Sequence, residues 1–140
     1  MSKAMNLHQV PEATTAHLHL WAGRITSAMV VIALVADGTI QLFVPAQIGG
    51  ILQETGFTID VARTVGPIAL VCAILYAVPA TAVLGAILVT GFLGGAICAH
   101  VRIGELGSQP EVISLLLGVI TWAGLYARDP RIRTMLPLMR

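Results

Sequence analysis

The chain has 140 residues, of which 56% are hydrophobic and only 11% are charged. Soluble domains average about 25% charged residues, and a chain this short has too much surface to cover with so few. The net charge of +1 gives no footprint for nucleic acid, and the mean hydropathy of +0.87 points to a bilayer as the solvent.

Residues 1–17 read as a polar tail or a short surface helix, interrupted by Pro11. They contain no apolar core followed by a small-residue cleavage site, so this is not a secretory signal. An apolar stretch over residues 18–44 carries Trp21, Arg24 and Asp37 and stops at Pro45. It exceeds the roughly 20 residues needed to cross a bilayer. Residues 46–60, with Gly49, Gly50 and Gly56, read as a loop. The apolar run over residues 61–101 would make about 60 Å of helix, twice a hydrocarbon core of about 30 Å, so it must fold back. Pro79 lies near its middle, which predicts helices over 61–78 and 79–101 joined by a tight turn. Residues 104–110 form a second loop. A fourth helix over about 110–128 follows, drawing on its flanks to complete the crossing, and Asp129-Pro130 ends it. The predicted fold is all-α: an integral membrane four-helix bundle over residues 18–140, preceded by the tail.

Four spans put both termini on one side. That side holds Lys3, Arg24, Arg128, Arg131, Arg133 and Arg140, against Arg63 and Arg102 on the other. The positive-inside rule then places both termini in the cytoplasm, and Trp21, Trp122 and Tyr126 fall near the inner interface, where such rings prefer to sit.

The third helix carries Gly91 and Gly95 in a GxxxG spacing, which lets backbones approach closely in lipid. This face serves either packing inside the bundle, the favoured reading, or a homo-oligomer. Ionisable groups inside a membrane are costly, about 2.5–3.5 kcal/mol on insertion scales, and need a partner, a wet cavity or a function. Asp37, Gln41, Arg63, His100 and Arg102 come from three helices and share the outer third of the bundle. The functional reading is a ligand-binding polar pocket. In it Asp37 and His100 exchange protons, Gln41 shares the face of Asp37 at i+4, and Arg63 or Arg102 holds an anionic group or a carbonyl. The structural reading is an Asp–Arg or Asp–His pair that fastens the bundle, with Arg102 reaching to the headgroups.

Cys72 and Cys98 differ in depth, so no disulfide is expected, and both read as small apolar packing. His8, His17 and His19 are too few to suggest a metal site. No phosphate-binding loop, dinucleotide fingerprint, HExxH or nucleophile elbow is present.

Five segments carry a family likeness: Ala36-Asp37-Gly38-Thr39-Ile40-Gln41-Leu42-Phe43; residues 78–86, from Val78-Pro79-Ala80 to Leu84-Gly85-Ala86; Thr90-Gly91-Phe92-Leu93-Gly94-Gly95-Ala96; His100-Val101-Arg102; and Gly124-Leu125-Tyr126-Ala127-Arg128-Asp129-Pro130-Arg131. In this order they resemble the DoxX-like family, over residues 23–137. The resemblance implies a four-helix bundle in the inner (cytoplasmic) membrane of a bacterium. Some relatives belong to membrane redox systems, including a quinone-reducing thiosulfate oxidoreductase, and others accompany oxidative-stress enzymes. With the polar pocket, this points to a subunit of a quinone-linked or oxidative-stress redox system without a cofactor of its own, binding a quinone or another small amphipathic molecule and taking electrons from a membrane partner. The family's polar positions map onto Asp37, His100 and Arg102. Gln41 and Ala80 stand where many relatives carry a basic residue; the first weakens an anion or headgroup site beside Asp37, and the second removes one inside charge without overturning the topology. The alternative is a non-enzymatic scaffold or assembly factor that binds other membrane proteins.

Overall fold

In hydrocarbon a backbone finds no water, so each crossing segment must close its own hydrogen bonds as helix. The computed structural model, which describes residues 10–135, has this form. Helix α1 spans Val10–Phe43, α2 Gly49–Thr55, α3 Ile59–Ala77, α4 Ala82–Arg102, α5 Gln109–Arg128 and α6 Pro130–Met135, with a 3-10 turn over Pro45–Ile48. No strand occurs among the described residues. Four segments are long and apolar enough to cross a membrane: His17–Phe43, Ile59–Ala77, Ala82–Arg102 and Gln109–Arg128. The protein is a multi-pass membrane protein.

The four long helices form a ring. α1 packs against α3 and α5, and α4 packs against α3 and α5, leaving α1 and α4 on one diagonal. Successive helices run in opposite directions. One end of the bundle, the near end, therefore carries the start of α1, the α3–α4 turn and the end of α5. The far end carries α2 and the α4–α5 loop.

Several boundaries differ from the sequence reading. α1 begins at Val10, so helix extends into what read as a polar tail. The segment read as a loop over 46–60 holds the 3-10 turn, α2 and the first residues of α3. Pro79 does not open α4. Residues 78–81 form the turn instead, closed by the Thr81 hydroxyl donating to the Leu75 carbonyl at 2.8 Å and the Thr81 amide donating to the Val78 carbonyl at 3.1 Å. Pro67 lies inside α3 and cannot donate to the carbonyl four residues back, that of Arg63. Lys3, His8 and Arg140 lie outside the described residues. Cys72 and Cys98 are both free thiols, Cys72 buried and Cys98 exposed.

The near end is solid. A Cβ on Gly85 would collide with the backbone of Tyr76, so α3 and α4 cross in direct contact just after their turn. Gly23 and Gly124 bring α1 against α5 in the same way, and Gly38 and Gly66 bring α1 against α3 further along. Tyr76 is 0% exposed. Its hydroxyl donates to the Thr121 carbonyl on α5 at 2.8 Å and lies 3.0 Å from the Ser27 hydroxyl on α1. Arg128 donates to the Tyr76 carbonyl at 2.6 Å, and its guanidinium lies 4.7 Å from the centre of the Tyr76 ring. One residue thus ties three helices. Trp122 turns toward α4, its ring N–H donating to the Thr90 hydroxyl at 2.9 Å, while Trp21 stays exposed with Arg24 beside its ring.

Candidate functional site

The far end is hollow. A cavity of about 700 Å³ lies between the helices there, within the range of about 300–1,000 Å³ typical of ligand pockets. α1 supplies Ala33, Leu34, Asp37 and Gln41; α2 supplies Ile51, Leu52 and Thr55; α3 supplies Val61, Ala62, Val65 and Ile68. Residues from Gly91 to His100 on α4 and from Gln109 to Leu117 on α5 complete the wall. Asp37, Gln41 and His100 therefore share one cavity, although they stand on diagonally opposite helices. Arg63 and Arg102 are not among its lining residues.

Asp37 sits six residues before the end of α1, about 9 Å along the helix. Its carboxylate accepts a hydrogen bond from the Gln41 side-chain amide at 2.7 Å. An i, i+4 spacing puts both groups on one face, so Gln41 orients the carboxylate without any charge from another helix. The expected Asp–Arg or Asp–His fastening pair is absent among the described residues. Gln41, standing where a cation was anticipated, is the partner of Asp37.

His100 is 8% exposed and ends the buried face of α4. Gly104, at φ +83°, lets the chain reverse there. The Glu105 amide then bonds the His100 carbonyl and the Gly104 amide bonds the Val101 carbonyl, which is a Schellman motif. The reversal carries the Glu105 carboxylate to 2.9 Å from His100 Nδ1. The Glu105 carboxylate thereby orients the His100 ring through Nδ1. Glu105 was not anticipated from the sequence. A glycine two residues past the helix, followed by an acid, is the signal that marks it.

The same motif ends α2. Gly56, at φ +70°, reverses the chain, and the Phe57 and Gly56 amides bond the Leu52 and Gln53 carbonyls. Arg102 donates to the remaining Thr55 carbonyl at 2.5 Å, with its guanidinium 5.7 Å from the Phe57 ring centre. This bond ties the end of α4 to the end of α2. Arg63 is exposed on α3.

A model of the DoxX-like family matches residues 25–124, well over half of the chain. The chain belongs to the DoxX-like family. No curated protein and no solved structure matches it. Every residue that lines the cavity lies within the matched segment, whereas most of the closing run from Gly124 to Arg131 lies beyond it.

The glycine-rich face of this DoxX-like bundle behaves differently from its other glycines. A Cβ added to Gly91, Gly94 or Gly95 would meet nothing within 4 Å. The expectation that Gly91 and Gly95 pack against another helix of the same bundle is therefore not met; both line the cavity instead. Ser114, 9% exposed on α5, lines it as well, and its hydroxyl has no hydrogen-bond partner among the described residues. It lies in an apolar helix and nothing in its sequence context signals it.

Proposed function

We propose that the far-end cavity binds a small amphipathic ring compound, a quinone in the first instance, within a bacterial inner-membrane redox system. With both termini in the cytoplasm, the cavity belongs to the outer leaflet. The observation that carries this reading is the meeting of Asp37 with Gln41 and His100 with Glu105 around one largely apolar cavity of about 700 Å³. A carboxylate and an imidazole, each oriented by its own neighbour, are suited to proton transfer. Reduction of a quinone takes two electrons and two protons. The electrons come from a membrane redox partner. Asp37 in its carboxylic acid form and His100 with its ring protonated each pass one proton to a carbonyl oxygen of the reduced ring, giving the hydroquinone, and regain it from water.

The test is binding of a quinone to the purified protein in lipid nanodiscs, with Asp37→Asn and His100→Ala alongside. Folded variants that lose binding support the pocket; a wild-type protein that neither co-purifies with nor binds any quinone refutes it. The second reading, a scaffold for other membrane proteins, draws on the unpacked face of Gly91, Gly94 and Gly95. It predicts that Asp37→Asn and His100→Ala leave partner capture intact.

A further inference from the structure

We infer that the ligand carries a long hydrocarbon tail, which leaves the bundle sideways between α3 and α4. This rests on the reading of the cavity as a site for an amphipathic ring compound. Polar groups are unevenly spread around the cavity. Asp37, Gln41, Ser114 and His100 belong to α1, α5 and the last turn of α4. The α3–α4 side is formed by Val61, Val65 and Ile68 facing Gly91, Gly95 and Ala99, none of which has a hydrogen-bonding side chain. The cavity also reaches the bundle surface there, because Ile68, Gly91 and Gly95 line it and are exposed.

Gly91, Gly95 and Ala99 recur every fourth residue, so they form one strip along α4. With nothing within 4 Å of a Cβ on Gly91 or Gly95, the strip is the floor of an open trough that runs from the cavity to the lipid. The nearly buried Ser114 and His100 line the same cavity as this strip. A headgroup at those polar atoms leaves the trough as the apolar way out. A tail lying in it keeps the ligand's other end in the bilayer, so the ligand is loaded from the membrane plane.

A Cβ at Gly91 or Gly95 meets no protein atom within 4 Å, so leucine at these positions tests the route. Binding of a decyl-tailed benzoquinone and of its tail-less parent is compared in nanodiscs, with Gly94→Leu as a control. A Cβ on Gly94 is equally unobstructed, but Gly94 lines the neighbouring hollow beside Trp122, which shares Leu93 and Ser114 with the cavity. The tailed compound is expected to weaken about tenfold or more in Gly91→Leu and Gly95→Leu, the scale of an overpacked contact, while the tail-less parent changes by no more than about twofold. Gly94→Leu should bind both as the wild type does. Equal losses for both compounds, or no loss for either, would overturn the tail route while leaving the cavity as a binding site. Failure of the wild type to bind either compound removes the cavity reading itself. Conversion of a dimer to a monomer by Gly91→Leu, read by mass measurement in nanodiscs, assigns the trough to a second copy and also overturns the route.

Discussion

The two ends of this bundle use one device to opposite effect. At the near end Arg128 bonds the Tyr76 carbonyl and lies over the Tyr76 ring; at the far end Arg102 bonds the Thr55 carbonyl and lies over the Phe57 ring. Each arginine satisfies a carbonyl left over at a helix end. The near-end arginine closes against helices in backbone contact, with Gly85 against Tyr76 and Gly124 against Ser27. The far-end arginine holds a seven-residue helix over empty space. In lipid no hydrophobic force draws helices together, so tight packing and buried hydrogen bonds have to do it. The near end supplies both, which leaves the far end free to stay open.

Substitutions at matched positions of the two ends test this division. Tyr76→Ala should cost the most, about 3–5 kcal/mol of stability in detergent unfolding, through loss of a fully buried ring. Tyr76→Phe, which removes only the bonds to Ser27 and Thr121, should cost about 1–3 kcal/mol. Gly85→Ala forces α3 and α4 apart and should cost about 1–3 kcal/mol, visible as a lower melting temperature. Arg102→Ala should change global stability little, by about 1 kcal/mol for a single partly buried bond. Its larger effect is local: a cysteine placed by Ile51→Cys should react with a thiol reagent faster once α2 is released. Gly95→Ala should be smallest, within about 0.5 kcal/mol. If Gly95→Ala cost as much as Gly85→Ala, the far end would be packed and the contrast would fall.

Depth was legible in the sequence, whereas direction around each helix was not. Counting residues from Pro45 and Pro79 placed Asp37, His100 and the α3–α4 reversal at the correct end of the bundle. The spans are apolar on every face, however, so no stripe announces which side turns inward. For that reason Gly91 and Gly95 were expected to pack within the bundle, and the bond from Arg102 to α2 was not foreseen. α2 was illegible because Gly49 and Gly50 open a segment too short to be helical alone; Arg102, 47 residues away, satisfies its last carbonyl. Glu105 and Phe57 each directly follow a left-handed glycine at the end of a helix, Gly104 and Gly56. The glycines were noted as loop markers, and the reversal that aims the following side chain back at the helix was not drawn from them.

The Tyr76 knot also sets an order of assembly. A ribosome delivers α1, α3 and α4 before α5, yet both the carbonyl that accepts the Tyr76 proton and the guanidinium that reaches its own carbonyl reside on α5. Until that last helix arrives, Ser27 on α1 is the polar company the phenol has, and α1 is already present. Closure of the bundle therefore waits on its final span, and a chain truncated before Thr121 would leave the membrane with an unlatched trio of helices.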